Sequence, residues 1–342
     1  MRQAVMTEPG KIEFGDVAEP KAGEGEILMR IKRIGVCGSD IHVNKGKHPF
    51  TSYPIVQGHE FSAQVEDIGP GVDNVKVGQK VTARPQVVCG KCGPCKRGDY
   101  HVCQNLKVEG FQTNGCAQDL FVTTKEKIVP LPDSFTYEQG ALIEPASCGA
   151  HGTRRAGDLK GKNVVVLGAA TIGNMIAQCA RARGAKDVLI CNYSGGYKLE
   201  VAKQCGIEKS FAMKEMKLAD AVKKFFGDEG VQVIFECAGS PDATSQAMQV
   251  LEKGGTFVIL GVFEENPVID MGALGEHELS LIGSMMYKHE DYLDAVKFID
   301  SGAIKTEPLV SKKFPFEKYM DAYKYIDDNS RNVMKVMIDL EQ

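Results

Sequence analysis

The 342-residue chain has no tryptophan, and aromatic residues make up only 7% of it. It lacks any apolar stretch of the roughly 18–20 residues that a membrane-spanning helix needs. The first residues run straight into mixed sequence, without the apolar core of a signal peptide. Neither sign of charge dominates, because 41 basic residues stand against 45 acidic ones, for a net charge of −4. These absences argue against a membrane partner, an exported protein and a nucleic-acid partner, and we expect a cytoplasmic location.

The rest of the composition is typical of a globular protein that can bury a sizeable core, since 43% of the residues are hydrophobic and 25% are charged. At roughly 150 residues per domain, the length predicts about two domains. The cysteines number 11, an odd count that fits poorly with a disulfide framework. Their positions indicate metal binding instead.

One short segment holds four cysteines, Cys89, Cys92, Cys95 and Cys103. Two residues separate each of the first three, and seven separate the third from the fourth. Short Cys-x-x-Cys steps let a tight loop direct its thiolates at one point, where four sulfurs complete a tetrahedral zinc site with no open position. A redox pair would not need four cysteines, and ferredoxin-like iron–sulfur runs have different spacing. The segment therefore predicts a structural zinc site.

A second set of metal-ligating residue types is spread over two loops. Cys37 follows a strand-like run at 27–31, and His59 and Glu60 are also flanked by strand-like sequence. A thiolate, an imidazole and a carboxylate from separate loops are the donors of an open catalytic zinc site, which keeps one position for water or substrate. Each residue alone also fits an ordinary role, as a core cysteine, a hydrogen-bonded histidine or a surface carboxylate.

The middle of the chain has the pattern of a dinucleotide-binding fold. The apolar run at 163–167 predicts a buried parallel strand, and a glycine turn at 168–173 leads into a helical stretch. In this context the pyrophosphate lies at the helix N-terminus. Ala170 departs from the fingerprint, which has a glycine there so that the backbone can approach the pyrophosphate closely. The turn residues expected at the cofactor are Gly168, Ala170, Thr171, Ile172 and Gly173.

In this order along the chain, the motifs resemble the zinc-containing medium-chain dehydrogenase/reductase family. The resemblance rests on Gly35-x-Cys37-Gly38-Ser39-Asp40-x-His42, on Gly58-His59-Glu60, on the four-cysteine segment and on the nucleotide-binding pattern. Within the family, the chain is similar to the branch of sorbitol, threonine and sugar-acid dehydrogenases. The stretch 49–60 resembles that of bacterial enzymes that oxidise sugar acids such as galactonate or gulonate.

The resemblance implies an α/β protein with a β-rich GroES-like catalytic domain and a doubly wound parallel-sheet (Rossmann) dinucleotide-binding domain. We expect the catalytic domain, with its structural zinc lobe, at residues 1–150, completed by residues 290–342. The Rossmann domain is expected at residues 151–289. A homo-oligomer, either a tetramer or a dimer, is also implied.

By the same resemblance, Cys37 and His59 are ligands of a catalytic zinc ion, and Glu60 is the third protein ligand. Glu144 matches a family carboxylate that can bind or approach the metal. The implied cofactors are thus two zinc ions, one catalytic and one structural, and a nicotinamide dinucleotide.

Ser39 and His42 match the family's proton relay, in which a hydroxyl passes the proton of the substrate to an imidazole that faces solvent. Asp40 between them is expected to be structural. The carbon-bound hydrogen of the substrate would then leave as hydride to the nicotinamide.

The end of the next strand leaves the choice between NAD and NADP open. Asn192 falls where NAD-preferring members carry an acid for the ribose hydroxyls, and asparagine does not repel a 2′-phosphate. Ser194 and Lys198 could even favour a 2′-phosphate, but we favour NAD because no arginine lies at this turn. By resemblance, the residues that run past the nicotinamide end are Cys237, Ala238, Gly261 and Val262.

The small-molecule substrate implied is a polyol, a sugar acid or a related secondary alcohol with several hydroxyls. Phe50, Tyr53, Phe111 and Met286 match pocket walls, although core packing explains each of them equally well. In the stretch 283–288, methionine replaces the arginine of sorbitol-dehydrogenase relatives, which weakens the case for a standard open-chain polyol. The alternatives are a threonine-type amino-alcohol dehydrogenase and, from another class, a non-catalytic zinc-binding or redox-sensing protein.

Overall fold

A computed structural model of the protein describes residues 1–341, which form two compact units. The first unit comprises Met1–Glu144, Lys288–Val296 and the chain from Val310 onward, and the second comprises Pro145–Tyr287 and Lys297–Leu309.

The division differs from the expected boundaries in three segments, two of them short: residues 145–150 cluster with the second unit, and residues 288–289 cluster with the first. The sequence assigns all of 290–342 to the catalytic domain, whereas 297–309 clusters with the second unit. Hydrogen bonding accounts for this, because the backbone N–H of Lys305 donates to Gln178 Oε1 at 2.7 Å.

The strands, in chain order, are β1 (Arg2–Glu8), β2 (Lys11–Asp16), β3 (Glu26–Gly35), β4 (Glu60–Ile68), β5 (Lys80–Ala83), β6 (Gln86–Val87), β7 (Lys107–Val108), β8 (Leu120–Thr124), β9 (Ile128–Pro130), β10 (Asn163–Leu167), β11 (Asp187–Asn192), β12 (Lys209–Ala212), β13 (Val231–Glu236), β14 (Leu251–Ile259), β15 (Ser280–Gly283), β16 (Val310–Pro315) and β17 (Lys335–Asp339). The helices are α1 (Gly38–Asn44), α2 (Gly93–Lys96), α3 (Tyr137–Ala141), α4 (Ile143–Arg155), α5 (Thr171–Ala182), α6 (Tyr197–Gln204), α7 (Leu218–Phe226), α8 (Pro241–Val250), α9 (Met271–Glu276), α10 (His289–Asp300) and α11 (Tyr319–Asp328). Within residues 1–341, no helix is both long enough and apolar enough to cross a bilayer.

The first unit is built on a seven-stranded sheet. Its order is β16-β17-β3-β4-β5-β9, with β8 also paired to β3, and most of the pairs are antiparallel. Strand β3 lies near the centre, so most of its side chains are buried. Its apolar residues share one core with Tyr319 and Tyr323 of α11. This β-rich body confirms the expected fold of the catalytic domain.

The register of three adjacent strands assembles the candidate site. Gly35, at the end of β3, is the partner of Glu60, at the start of β4, and Met337 of β17 pairs with Gly35 from the other side. Cys37 lies two residues beyond β3, and His59 lies one residue before β4. Antiparallel pairing therefore brings residues that are distant in sequence to one end of the sheet.

The second unit contains a six-stranded parallel sheet of order β12-β11-β10-β13-β14-β15. All five residues of β10 are buried, because helices cover both faces. Val165 and Leu167 belong to a core with residues of α7 and α8, whereas Val164 and Val166 belong to a core with residues of α5 and α6. The doubly wound Rossmann architecture is thus confirmed, with the strand order reversing between β10 and β13.

Candidate functional site

Three residue types suited to zinc converge at the end of the first unit's sheet. Cys37, His59 and Glu60 each offer one ligand atom, and these atoms lie within 4.8 Å of one another. His59 and Glu60 are buried, and Cys37 is half-buried. A thiolate, an imidazole and a carboxylate at this spacing suit a zinc ion that keeps an open coordination position. The structure therefore brings together the three residues that the sequence proposed as ligands.

Asp40 lies against two of these residues and is hydrogen-bonded to one of them. Its Oδ2 accepts a hydrogen bond of 2.9 Å from the backbone N–H of Cys37 at the start of α1. Its Oδ1 lies 3.6 Å from His59 Nδ1, and both of these buried atoms have no hydrogen-bond partner among the described residues. A carboxylate facing the second nitrogen of a metal-bound histidine is a common device for fixing the ring. Since Nδ1 faces Asp40, Nε2 is the His59 nitrogen that is available to a metal.

Glu60 is held by a buried lysine that the sequence analysis did not identify. Lys335 of β17 donates to both carboxylate oxygens, at 2.7 and 2.6 Å, and to the Val36 carbonyl at 3.0 Å. A carboxylate has about four lone-pair positions, so the ion pair leaves Glu60 able to accept a metal. A Cβ at Gly35 would lie 2.3 Å from Glu60 Oε2, so this carboxylate needs a glycine opposite it.

The charges of the site act strongly on one another. Burial lowers the pKa of His59, but Asp40 and Cys37 outweigh this effect and raise the pKa to about 10. Burial also lowers the pKa of Lys335, and the charges of Glu60 and Cys37 raise it above its usual value. The site has a surplus of negative charge, which favours protonated His59 and Lys335. A divalent cation bound there would be attracted by the same charge and would displace the imidazole proton of His59.

Glu144 and the relay residues lie around this group. In the described part of the chain, Glu144 is not one of the three clustered ligands. It is buried in the first turn of α4, and its charge helps to raise the pKa values of His59 and Lys335. On α1, Ser39 is half-buried and His42 is exposed, as a relay from substrate to solvent requires.

The four-cysteine segment closes on itself. The sulfurs of Cys89, Cys92, Cys95 and Cys103 all lie within 4.8 Å of one another. The Cys92–Cys103 and Cys89–Cys103 Sγ–Sγ distances are 3.8 and 3.5 Å. A tetrahedron with sulfurs at about 2.3 Å from zinc has edges of about 3.8 Å. The segment thus fits a metal with four sulfur ligands.

The protonation of these cysteines supports a cation at their centre. Backbone N–H groups of Lys91 and Cys92 lower the pKa of Cys89 to about 6. Burial and the neighbouring sulfurs raise the pKa of Cys95 to about 12. Without a metal, Cys95 therefore stays protonated. A bound cation is needed to hold all four cysteines as thiolates.

The nucleotide turn follows β10 in the second unit. Gly168 has a φ of 103°, a left-handed conformation that suits glycine. A Cβ at Gly173 would lie 1.7 Å from the Gly168 carbonyl oxygen, so only glycine fits there. Ala170 is the N-cap of α5, exposed and extended at φ −75° and ψ −172°, so its methyl group causes no backbone strain. Thr171 and Ile172 begin the helix and are half-buried.

Two residues that sequence reasoning missed organise the nucleotide end of this unit. Asn174 is fully buried, and its Nδ2 donates to the carbonyls of Ala169 and Ala170, which fixes the turn. Glu236 is also fully buried and accepts from the backbone N–H groups of residues 238–240. A polar residue inside an otherwise apolar strand or helix is the signal that could have identified both.

Glu236 also lies against the second strand end that was predicted to pass the nicotinamide. A Cβ at Gly261 would lie 2.2 Å from Glu236 Oε2 and 2.4 Å from the Gly239 nitrogen. A Cβ at Gly168 would lie 3.2 Å from the Ala238 Cβ. The structure therefore places Gly168, Ala238 and Gly261 together, with Cys237 half-buried and Val262 exposed beside them.

The loop after β11 uses its asparagine internally. Asn192 Oδ1 accepts from the Gly195 N–H at 2.7 Å, and its Nδ2 donates to the Gly195 carbonyl at 3.3 Å. Ser194 is exposed, while Lys198 is half-buried and burial lowers its pKa. The amide of Asn192 therefore shapes the loop, and the two other side chains remain as candidates for contact with a ribose.

The four aromatic and methionine residues proposed as pocket walls have different environments. Phe111 belongs to the core, and its ring lies 4.8 Å from that of His59. Tyr53 packs against the same core and donates from its hydroxyl to the Val43 carbonyl. Phe50 is 72% exposed, so core packing does not explain it. Met286, in the second unit, has a left-handed φ of 49°.

Comparisons with known proteins agree with this site. Residues 171–301 match a family model described as zinc-binding dehydrogenase, and residues 23–133 match one described as alcohol dehydrogenase GroES-like domain. The D-arabitol-phosphate dehydrogenase of Enterococcus avium is 30% identical over 96% of this chain and 94% of its own length. The 2-dehydro-3-deoxy-L-galactonate 5-dehydrogenase of Pseudoalteromonas atlantica is 34% identical over 88% of this chain and 87% of its own. A zinc-binding dehydrogenase from Sinorhizobium meliloti, solved with NADP, superposes with a TM-score of 0.90 at 26% identity, over 99% of this chain and 98% of that one.

Proposed function

The chain belongs to the zinc-containing medium-chain dehydrogenase/reductase family, and on this basis we propose that it is an oxidoreductase that transfers hydride between a polyhydroxy compound and a nicotinamide cofactor. The reacting group is a secondary alcohol of a polyol, a sugar acid or a related compound. One observation carries the proposal: the ligand atoms of Cys37, His59 and Glu60 converge within 4.8 Å in a chain that also holds a complete strand–glycine turn–helix motif.

Two zinc sites with different roles are part of this proposal. Cys37, His59 and Glu60 would hold the catalytic ion, with Glu144 close enough to act on its charge. Cys89, Cys92, Cys95 and Cys103 would hold the structural ion, since four sulfur ligands leave no position for a substrate. At the catalytic site, bound zinc would supply a Lewis acid that lowers the pKa of a substrate hydroxyl.

The residues of the chain would then handle the proton and the orientation of the ligands. Ser39 accepts the hydroxyl proton and passes it to His42, which releases it to solvent. Asp40 keeps the His59 ring aligned, and Lys335 keeps the Glu60 carboxylate in place. A nicotinamide held by the second unit would supply the acceptor for the carbon-bound hydrogen of the substrate, as hydride. Reduction of the ketone follows the same path in reverse.

An assay of the purified enzyme against a panel of substrates tests the function. The panel contains polyols, aldonates, a pentitol phosphate, L-threonine and simple secondary alcohols, each with NAD and with NADP, before and after chelation. We expect reduced cofactor with at least one polyhydroxy compound and a loss of turnover after chelation. Preferred oxidation of L-threonine would favour an amino-alcohol dehydrogenase instead. No reduced cofactor with any compound would overturn the proposal.

For the cofactor, we propose that NAD is preferred over NADP. The turn at 192–198 has no arginine to bind a 2′-phosphate, and its one cation, Lys198, is half-buried. The ratio of kcat/KM for the two cofactors measures the preference. A ratio that favours NADP, and that falls in Lys198→Ala, would show that Lys198 binds a 2′-phosphate and that the proposal is wrong.

We propose that the enzyme is a homo-oligomer, a dimer or a tetramer. Strand β15 is an edge strand of the second unit's sheet, and its side chains are largely exposed, including Leu281 at 39%. An exposed apolar edge strand is suited to pairing with another chain. Light scattering should give a mass of at least two chains, and Leu281→Lys should lower it. A monomeric wild-type enzyme would contradict this proposal.

We also propose that the enzyme works in the cytoplasm. The two proposed metal sites need the thiols of their five cysteines reduced, which is the condition that a reducing compartment maintains. Fractionation of cells that produce the protein tests this location, and recovery from an oxidising compartment would contradict it.

A further inference from the structure

The loop that follows α1 carries a histidine that the proposed reaction does not use. His48 is half-buried, and its ring stacks on that of Phe111, with ring centroids 4.7 Å apart and planes inclined by 20°. The Phe111 ring in turn lies 4.8 Å from the ring of His59. The three rings therefore form a continuous wall that ends at a candidate metal ligand.

Thr51 sets the orientation of this imidazole. Its Oγ1 lies 2.8 Å from His48 Nδ1, so this nitrogen is engaged within the loop. Across residues 1–341, no hydrogen bond is formed by His48 Nε2. The wall thus has one polar edge that is oriented by the protein and still free to bind a ligand.

The electrostatics of the loop favour an uncharged ring. Burial, together with the nearby charges of His42 and His59, lowers the pKa of His48. A neutral imidazole offers a single hydrogen bond from its free nitrogen, which suits a neutral hydroxyl group. Because the charges of His42 and His59 both act on the His48 ring, this ring lies near the proposed relay and the candidate metal ligands.

We propose that His48 binds a second hydroxyl group of the substrate through Nε2 and thereby selects polyhydroxy compounds over simple alcohols. This inference rests on the proposed function and deepens it. An apolar wall of aromatic rings alone would not distinguish the two classes. A protein group that is oriented to hydrogen-bond a substrate hydroxyl discriminates against an analogue that lacks the hydroxyl.

The test compares two variants of His48 with a matched control. His48→Phe keeps an aromatic ring on Phe111 but removes the polar edge, and His48→Asn keeps a polar group in a smaller side chain. His277→Phe makes the same change at a half-buried histidine of the second unit. The probes are 2-butanol, 2,3-butanediol and D-sorbitol, with kcat and KM measured on the zinc-loaded enzyme. Calorimetric titration of D-sorbitol without cofactor gives binding independently of turnover.

In His48→Phe we expect KM for the diol and for sorbitol to rise about tenfold, as the loss of one hydrogen bond implies, while 2-butanol is unaffected. His48→Asn should recover part of this loss, and His277→Phe should change nothing. An equal loss for all three alcohols would show that His48 serves only packing, and no loss for the polyols would overturn the inference outright.

Failure of the proposed function gives a different result. If the wild-type enzyme oxidises none of the probes, the titration decides: weaker sorbitol binding in His48→Phe supports recognition by His48 and removes only the proposed reaction. Sorbitol binding that is absent in the wild type, or that is unchanged in His48→Phe, overturns the recognition itself.

Discussion

A single lysine neutralises the carboxylate at the centre of the first unit. The side chains of Lys335 and Glu60 are only 5% and 1% exposed, and the ammonium group reaches both carboxylate oxygens. A buried charge without a partner costs several kcal/mol, so each member of such a pair depends on the other. Lys335 therefore acts on a candidate metal ligand without being one itself.

Replacing this lysine should leave Glu60 with an uncompensated buried charge. Without metal, Lys335→Met is expected to lower the free energy of unfolding by about 3 kcal/mol. Zinc should offset part of the loss, because the cation takes over the neutralisation of the carboxylate. Urea unfolding of the enzyme, with and without chelator, measures the two values.

The control for this experiment is Lys186→Met. Lys186 pairs with Glu229 at the surface, where both side chains are about half exposed (48% and 58%), so the change should have little effect on the free energy of unfolding. Equal losses in Lys335→Met with and without zinc would contradict a role at the metal centre.

A second prediction about a single residue concerns Asp40. Asp40→Asn keeps the shape of the side chain but removes the charge that faces His59 Nδ1, so zinc affinity should fall by about 10- to 100-fold. Competition with a chromophoric chelator measures this affinity. Asp242→Asn, at an exposed acid of α8, serves as the control. Unchanged zinc affinity in Asp40→Asn would exclude Asp40 as the partner of the ligand.

At the scale of secondary-structure elements, one carboxylate ties three of them together. Glu138 of α3 accepts from Arg33 of β3 and from Lys313 of β16, each at 2.9 Å. Burial raises the pKa of Glu138, but the hydrogen bonds from Lys313 and Arg33 outweigh burial and lower the pKa to about 2. The ionised carboxylate thus stabilises the packing of α3 on the sheet.

This pKa predicts a specific loss of stability in acid. The folded-state pKa of about 2 is below the usual value of 4.5, so the stabilisation is present above pH 4.5 and is lost as the pH falls toward 2. At neutral pH, Glu138→Gln should lower the free energy of unfolding by about 1–2 kcal/mol, a range that allows for screening by solvent. Unfolding curves at several pH values measure it, with the surface variant Glu13→Gln as control. Parallel pH profiles for Glu138→Gln and the wild type would contradict the assignment.

The sequence predicts those elements whose pattern lies within one short stretch of the chain. The apolar run of β10, the glycines of the following turn and the four-cysteine segment each lie within a few residues, so their chemistry is visible in one stretch. The ends of elements depend on contacts elsewhere in the chain: α8 ends at Val250, because Leu251 begins β14 and pairs with Val231. Sheet pairing overrides local helical pattern at that point.

On the scale of the whole molecule, two metal sites with separate roles should be separable by mutation. Elemental analysis should find two zinc ions per chain in the wild-type enzyme. It should find one zinc ion per chain in Cys37→Ser and one in Cys95→Ser. The turnover of Cys37→Ser should fall more than about a hundredfold, which is more than the loss expected when a residue that only orients a ligand is replaced. The thermal stability of this variant should be unchanged. Cys95→Ser should mainly lose stability. Equal unfolding of both variants would contradict the division of roles.

The parts of the site that the sequence could not predict depend on contacts across the chain. Lys335 lies 275 residues from Glu60, and nothing near it in sequence marks it as different from other lysines. His48 and Asn174 likewise acquire their roles from the rings and carbonyls that folding brings to them. Sequence patterns indicated the candidate ligands, because their residue types are chemically special, but not the residues that lie against them and orient them.

The distance in sequence between β4 and β17 has a consequence for the timing of synthesis. A ribosome adds roughly 5–20 residues per second, so the 275 residues between Glu60 and Lys335 take on the order of tens of seconds to translate. During that interval the nascent chain already contains Cys37, His59 and Glu60 but lacks the lysine that neutralises the carboxylate. The complete centre therefore forms only after Lys335 has been translated, and so after the entire second unit has been made.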